Sequence, residues 1–309
     1  MIARDIIVIG ASAGGFEAIQ RLVAGLPRDL EAAVFITIHL YPRSEGVLPD
    51  LLNRAGPLPA AHPWEETPIE MGRIYVAPPD YHLIVSPKTV HVGHGPKENL
   101  HRPCINTMFR SAAMSHGERV AGVLLTGLLD DGSAGLWEIQ QHGGVTVVQD
   151  PDEAAFRSMP ESAILGLNVQ YILRLAEIPP LLRRLTIGDR TESRAQQADS
   201  RSEHRTMQAC PECGGAMTLH TMGRVKEFRC HVGHRFGLKT MVSEKSGVVE
   251  RAMWKAVSQS EELLQLLEQV QADLDEEAAR MVREEITRRK AEQQALRRLV
   301  NGDFETALE

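Results

Sequence analysis

The sequence is poor in several features that mark special classes of protein. Its 309 residues contain four cysteines and no apolar run near the roughly 20 residues that a membrane-spanning helix needs. Positive charge is not in excess, since the formal net charge is −7, so a nucleic-acid-binding surface is not expected. The N-terminus lacks the long apolar stretch, preceded by basic residues, of a secretion signal. We therefore expect a cytoplasmic protein that neither inserts into a membrane nor binds nucleic acid.

The first 185 residues alternate between short β-branched runs and segments with helical periodicity. Apolar runs at 6–9, 33–38, 120–125 and 145–148 are separated by stretches such as 16–26, whose apolar residues recur at helical spacing. Fully apolar strands separated by helices indicate a parallel sheet covered on both faces. The short runs between residues 73 and 94 are closely spaced and predict an antiparallel excursion at the sheet edge. The predicted fold class is therefore α/β, doubly wound, with a mostly parallel sheet.

Three further segments follow this predicted domain of residues 1–185. Residues 186–209 contain no Phe, Tyr, Trp, Leu or Val, and this composition predicts a flexible linker that cannot bury a core. Residues 210–240 hold three cysteines and several histidines. Residues 246–302 form a predicted helical tail, because 248–300 contain neither Gly nor Pro and Asn301-Gly302 supplies a stop. The tail is predicted as one long helix or as a hairpin that bends at 272–275.

A glycine-rich turn follows the first predicted strand, where residues 10–15 read Gly-Ala-Ser-Ala-Gly-Gly. A dinucleotide-binding fingerprint requires glycine at position 12, and a P-loop requires Gly-Lys where the chain has Gly15-Phe16, so neither phosphate-binding motif is present. The order matches G-x-S-x-G, in which small neighbours let the chain bend sharply and expose the hydroxyl of Ser12. The N-terminus of the following helix offers N–H groups to an oxyanion. A glycine-rich turn without chemistry is the alternative.

A nucleophilic serine needs a base, and the base needs an acid that orients it. His39 directly follows the second predicted strand, and Asp130 and Asp131 lie on a glycine-flanked loop after the strand at 120–125. Because the carboxyl ends of strands in a doubly wound sheet meet at one edge, these side chains would lie near Ser12. A structural histidine and a solvated Asp-Gly turn are the alternatives. Three such residues at three strand ends together favour a serine hydrolase site.

The chain resembles the catalytic domain of the CheB family, the chemotaxis protein-glutamate methylesterases. The resemblance is carried, in the family's order over nearly all of residues 5–185, by IIVIGASAGG, FITIHL, GRIYVAPPDYHLIV, HRPCINTMFRSAA, LLTGLLDDGSAGL and GGVTVVQDPDEAAFRSMPESAI. It implies Ser12 as nucleophile, His39 as general base and acid, and Asp131 as the orienting acid, since the second acid of the Asp-Asp-Gly stretch aligns with the catalytic one. Ala13 and Leu128 occupy the positions of the family's oxyanion hole.

The sequence departs from the family at three positions near this site. Ala13 stands where Thr or another small residue is usual, Leu128 where Met is usual, and Leu129 where Gly is usual. Backbone N–H donors survive the first two changes, but a bulky residue in place of Gly restricts the loop. Family members usually also carry an N-terminal receiver domain. Here the first catalytic strand begins at residue 6, so we expect no control by a receiver in the same chain.

The cysteines of the third segment have the spacing of a metal site. Cys210 and Cys213 form a C-x2-C pair, and Cys230 and His234 follow at the distance of a zinc ribbon. His234 is preferred to His231 because C-x3-H leaves both ligands room to point inward. Four protein ligands imply a structural zinc with no open position, so no cofactor is expected for catalysis. We also expect this zinc-ribbon-like module to be separable from the chemistry, because the linker has no large apolar residues. Unligated thiols are the alternative.

The resemblance implies a hydrolase that removes methyl esters from glutamates of chemoreceptor-like proteins and releases methanol. Some members of the family also deamidate glutamine. The expected partner is a methylated receptor or a related signalling protein, and homodimerisation through the helical tail is left open. Two other function classes stay in play: a serine esterase on small esters, and a non-catalytic signalling adaptor that acts through the zinc module and tail.

Overall fold

Seven parallel strands form the main sheet of the computed structural model, which describes residues 2–188 and 201–301. They are β1 (Ile6–Ala11), β2 (Ala33–Ile38), β3 (Ala60–Ala61), β5 (Ile74–Val76), β8 (Val120–Leu124), β9 (Val145–Gln149) and β10 (Tyr171–Leu173). Their order across the sheet is β10-β9-β8-β1-β2-β5-β3, and every neighbouring pair is parallel. The predicted doubly wound α/β class is confirmed, and β1 and β2 lie beside each other at its centre.

Six helices cover the two faces of this sheet. They are α1 (Gly15–Ala24), α2 (Leu48–Ala55), α3 (Ile105–His116), α4 (Ser133–Gln141), α5 (Ser158–Gly166) and α6 (Ile178–Thr186). Because side chains alternate along a strand, Ile7 and Ile9 of β1 pack with α1, α2 and α6, whereas Ile6 and Val8 pack with α3, α4 and α5. The β-branched runs are apolar over their whole length because both faces of the sheet are buried.

A second, antiparallel sheet contains β4 (Thr67–Pro68), β6 (His82–Val85) and β7 (Thr89–Gly93). The antiparallel pair predicted within residues 73–94 is therefore present, but it belongs to a sheet of its own. The first short run of this range was also predicted to be part of the antiparallel excursion. It is instead β5 (Ile74–Val76), which joins the main sheet beside β2 in parallel register. Its buried Ile-Tyr-Val sequence explains the difference, since a strand buried on both faces suits the parallel sheet.

A third sheet, here called the ribbon sheet, is antiparallel and contains β11 (Arg201–Ala209), β12 (Ala216–Met222), β13 (Val225–Cys230) and β14 (Arg235–Gly237). The predicted linker at 186–209 is therefore wrong for its last nine residues, which form β11. Nearly every residue of β11 is exposed, because it is an edge strand of the sheet. Its composition is therefore polar, and in the sequence it could not be distinguished from a linker. Residues 189–200 of the predicted linker lie outside the described residues.

Two helices, α7 (Leu238–Gln271) and α8 (Glu276–Val300), contain the predicted tail. The chain divides into two compact units at residues 241 and 242, so most of α7 and all of α8 form the second unit. Helix α7 begins at 238 and not at 246, and Gly247 lies inside it. The bend at 272–275 ends with Asp275, whose side chain accepts from the N–H of Ala278 and begins α8. Lys290 and Glu268 pair at 2.8 Å across this hairpin.

No helix among residues 2–188 and 201–301 is long and apolar enough to cross a membrane.

Candidate active site

Ser12 lies in the sharp turn between β1, which ends at Ala11, and α1, which begins at Gly15. Gly14 caps α1 in the left-handed region with φ 71°, a conformation that favours glycine. The loop after β8 supports the turn, because the Ser12 N–H donates to the Thr126 carbonyl at 3.0 Å and the Thr126 hydroxyl donates to the Ala13 carbonyl at 3.0 Å. The glycine-rich stretch of the sequence thus forms a braced turn that presents the serine at the carboxyl edge of the sheet.

Ser12, His39 and Asp131 form one continuous hydrogen-bonded chain. The Ser12 Oγ lies 2.9 Å from His39 Nδ1, and His39 Nε2 lies 2.8 Å from Asp131 Oδ2. The His39 side chain is 7% exposed and that of Asp131 is 2% exposed, so water has little access to the ion pair. All three residues follow the carboxyl ends of neighbouring strands, β1, β2 and β8. The structure therefore brings together Ser12 and His39, which the strand ends predicted, and Asp131, which the family resemblance selected over Asp130.

Asp131 is held by several donors besides His39. Its Oδ2 accepts from the N–H of Ile105 at 2.8 Å, and its Oδ1 accepts from the N–H of Gly132 at 2.9 Å and the side-chain amide of Asn99 at 2.9 Å. Ile105 is the first residue of α3, so the positive end of that helix also faces the carboxylate. Burial alone would raise the pKa of Asp131, but the hydrogen bond and charge of His39 and the donors of Ile105 and Asn99 hold it well below its usual value.

An ionised Asp131 fixes the tautomer of His39. A carboxylate can only accept a hydrogen bond, so the proton of the neutral ring resides on Nε2. The lone pair of Nδ1 then faces the hydroxyl of Ser12. The imidazole is thereby set to accept the serine proton.

The N–H groups of Ala13, next to Ser12, and of Leu128, in the loop after β8, are the predicted oxyanion donors. Among the residues that the structure describes, no hydrogen-bond acceptor faces the N–H of Ala13 or of Leu128. Leu129, in the position where glycine was expected, adopts φ 64°. The loop has therefore kept the left-handed backbone that glycine usually provides, and the branched side chain bears its steric cost.

Comparisons with known proteins agree with this geometry. The model of the CheB methylesterase family matches residues 7–182, more than half of the chain. The chain belongs to the CheB methylesterase family.

Relatives of known name share this domain. A putative protein-glutamate methylesterase/protein-glutamine glutaminase of Leptospira interrogans is 37% identical over 59% of this chain and 94% of its own length. Another protein-glutamate methylesterase/protein-glutamine glutaminase, of Methanosarcina mazei, is 34% identical, and the match covers 56% of this chain but 49% of that protein. The crystal structure of the Thermotoga maritima CheB methylesterase catalytic domain matches with a TM-score of 0.56 and 26% identity, over 60% of this chain and all of that one.

The sequence analysis assigned no role to two residues of the site. His101 stacks on His39 with ring centroids 3.6 Å apart and an angle of 11° between the rings. Asn99 donates to Asp131. Both lie between β7 and α3, on neither a strand end nor a recognisable motif. The quoted HRPCINTMFRSAA stretch was the only hint, since His101 begins it.

The four predicted metal ligands also converge. One ligand atom from each of Cys210, Cys213, Cys230 and His234 lies within 4.8 Å of all the others. Cys213 Sγ is 3.5 Å from Cys230 Sγ, and Cys210 Sγ is 3.7 Å from His234 Nδ1. Ligands of a tetrahedral zinc, with Zn–S near 2.3 Å, lie about 3.7 Å apart, so these side chains fit such an ion. The cysteines are free of disulfides.

Proposed function

We propose that this protein is a serine hydrolase that cleaves the γ-methyl ester of glutamyl side chains in chemoreceptor-like proteins. The observation that carries the proposal is the chain Ser12–His39–Asp131, with 2.9 and 2.8 Å between successive partners, in a member of the CheB methylesterase family. In this proposal Ser12 is the nucleophile, His39 the general base and acid, and Asp131 the group that orients His39.

Acylation begins with proton transfer from the Ser12 hydroxyl to Nδ1 of His39. Oγ then attacks the ester carbonyl, and the negative charge that develops on the carbonyl oxygen is stabilised by the N–H groups of Ala13 and Leu128. Asp131 stabilises the imidazolium, because its carboxylate already accepts a hydrogen bond from the Nε2–H of His39. His39 returns its proton to the leaving oxygen, so methanol departs and a glutamyl ester of Ser12 remains.

Deacylation repeats these steps with water as the nucleophile. His39 takes a proton from water, the hydroxide oxygen forms a bond to the acyl carbon, and the bond to Oγ breaks. The proton returns to Ser12, and a glutamate carboxylate is released. A glutamine side chain would react in the same way with ammonia as the leaving group, which is the chemistry that "protein-glutamine glutaminase" describes in the names of the relatives.

The receptor substrate and partner are inferred from family membership and from the names of the relatives. A serine esterase for small esters would use the same chain of residues, and the exposed side chain of Leu128 beside the site does not discriminate between them. An adaptor without catalysis is disfavoured, because an adaptor has no need of a buried aspartate that orients the histidine towards the serine.

The test is methanol release from membranes that contain methylated receptors. The intact chain should release methanol, and Ser12→Ala should lower the rate by about 10³-fold or more without changing the thermal unfolding temperature. A small methyl ester measured in parallel separates the two substrate classes. Hydrolysis of the small ester alone would favour the general esterase, and an unchanged rate in Ser12→Ala would contradict the proposed nucleophile.

A further inference from the structure

The ribbon sheet packs directly on the domain that carries the active site. Met222 and Val225, at the turn between β12 and β13, belong to the same buried cluster as residues of α3, α4 and α5. Arg201 of β11 lies over the ring of Trp137 at 4.5 Å and pairs with Glu138 at 3.0 Å. We expected the Cys/His module to be connected to the α/β domain only through a flexible linker. That expectation is wrong, because apolar and charged contacts connect the two parts directly.

A buried cluster of charges strengthens this interface. Glu227 of β13 is 1% exposed and pairs with Arg110 of α3 at 3.0 Å, and Arg110 also pairs with Glu98 at 3.2 Å. Burial alone would raise the pKa of Glu227, but the charges of Arg110, Arg229 and Arg235 hold it below its usual value. Loss of Glu227 would leave Arg110 with fewer partners in a buried site, so the ion pairs favour contact of β13 with α3.

Residues 98–101 connect this interface to the site. Asn99 donates its backbone N–H to the Arg235 carbonyl of β14 at 2.7 Å, and its side-chain oxygen accepts from the N–H of Gly237 at 2.6 Å. The amide nitrogen of the same side chain donates to Asp131 at 2.9 Å. One asparagine side chain therefore bridges the last strand of the ribbon sheet and the carboxylate that orients His39.

The backbone of this bridge is strained. Asn99 and Leu100 both have positive φ, at 49° and 69°. Asparagine tolerates this region, but leucine does not, so the surrounding packing must maintain the conformation. Leu100 packs against the small core of the ribbon sheet, which includes Cys210 and Cys230. The same residues that would bind the metal thus support the strained segment next to His101.

The acidic loop after β8 has a second contact with the end of the ribbon sheet. Asp130 accepts from the N–H of Lys239 at 2.8 Å and from the hydroxyl of Thr240 at 2.7 Å. Gly237 lies so close to Asp130 that a Cβ there would be 2.4 Å from Oδ2, so only glycine allows this approach. The two neighbouring acids are therefore held from opposite directions, Asp131 by α3 and Asp130 by residues 239 and 240.

We propose that Cys210, Cys213, Cys230 and His234 bind one zinc ion, and that the module which this ion organises positions Asp131 through Asn99. Few large side chains fill the ribbon core, so metal binding and folding of this small sheet should be one event. Loss of the ion frees β14 and Leu100, and Asn99 then ceases to hold Asp131. Asn99 is a positioning residue in this account and the zinc is structural. The coupling rests on the proposed role of the Ser12–His39–Asp131 chain.

The first test measures metal and nucleophile together in the full chain. Elemental analysis should find about one zinc per chain, and His234→Asn should lose it. The rate at which a fluorophosphonate labels Ser12 reports activation of the serine without any methylated receptor. We expect His234→Asn to lower that rate at least about tenfold. The matched control His204→Asn, at an exposed histidine of β11 outside the ligand set, should keep both the zinc and the rate.

Asn99→Ala separates coupling from folding. This variant should keep one zinc per chain, which shows that the ribbon sheet still folds, yet lower the labelling rate about tenfold. Absence of bound zinc in the parent chain would overturn the metal site. A wild-type labelling rate in zinc-free His234→Asn or in Asn99→Ala would overturn the coupling. Because labelling needs no receptor, a negative methanol assay would refute the proposed substrate and leave this test decisive.

Discussion

At the scale of single residues, burial keeps the side chain of His101 neutral beside His39. Burial and the neighbouring His39 together lower the pKa of His101 to about 4, although the charge of Asp131 opposes the shift. His101 is therefore neutral at the pH at which a histidine base works, and a neutral ring can lie flat on His39 without repelling the imidazolium that forms during catalysis. The stacked pair is a consequence of the fold around residues 98–101, and no spacing rule in the sequence could reveal it.

The depressed pKa of His101 makes stability depend on pH in a defined window. The unfolded chain binds a proton at this residue near pH 6.5, whereas the folded chain does so only near 4. The contribution of His101 to the free energy of unfolding is thus complete above pH 6.5 and is lost as the pH falls towards 4, by up to about 3 kcal/mol. His101→Gln cannot titrate, so its stability should decline less than that of the parent between pH 6.5 and 4. Urea unfolding at several pH values measures this difference, and parallel declines would refute it.

At the scale of elements, the loop between β8 and α4 keeps a backbone that its sequence does not favour. Leu129 has φ 64°, whereas the adjacent Leu128 has no positive φ and is 52% exposed. A left-handed conformation costs a residue with a side chain about 1–2 kcal/mol. The pair of leucines therefore offers a matched experiment, because the same substitution at adjacent positions meets different backbone conformations.

We expect Leu129→Gly to leave the free energy of unfolding unchanged or raise it slightly. Relief of the strain offsets the entropy that glycine adds to the unfolded chain, about 0.5–1 kcal/mol. Leu128→Gly gains no such relief and should lower the free energy of unfolding by about 1 kcal/mol. Chemical denaturation of both variants decides the matter. A larger loss for Leu129→Gly than for Leu128→Gly would show that contacts of its side chain outweigh the strain.

Element-scale patterns also explain which parts of the fold were predictable. Fully apolar runs identified β1, β2, β8 and β9, because strands buried on both faces leave no polar positions. Strand β11 was missed for the opposite reason, since an exposed edge strand needs no apolar residues. The positions of Ser12, His39 and the Asp130-Asp131 pair could be predicted, because the carboxyl ends of parallel strands share one edge, but only the family resemblance selected Asp131.

At the scale of the whole molecule, contacts between distant segments were hidden from sequence reasoning. Arg110 and Glu227 are 117 residues apart in sequence and pair across the interface between the α/β domain and the ribbon sheet. The polar composition of residues 186–209 had predicted a flexible linker and no such interface. The spacing of Cys210, Cys213, Cys230 and His234 could predict that these side chains converge, but not that the small core around them packs on Leu100. Because the ribbon sheet packs on the α/β domain, the Cys/His cluster, the strained segment 99–100 and Asp131 belong to one structure.

The measurement that tests the central claim most directly compares two neighbouring acids in the methanol-release assay. Asp131→Asn preserves shape but turns an amide donor towards Nε2 of His39, which favours the wrong tautomer, so the rate should fall by about 10⁴-fold. Asp130→Asn keeps one of the two oxygens that accept from residues 239 and 240, and it does not touch His39, so it should lose less than about tenfold. Equal losses in the two variants, or an Asp131→Asn rate close to that of the parent, would contradict the account of Ser12, His39 and Asp131 as one catalytic chain.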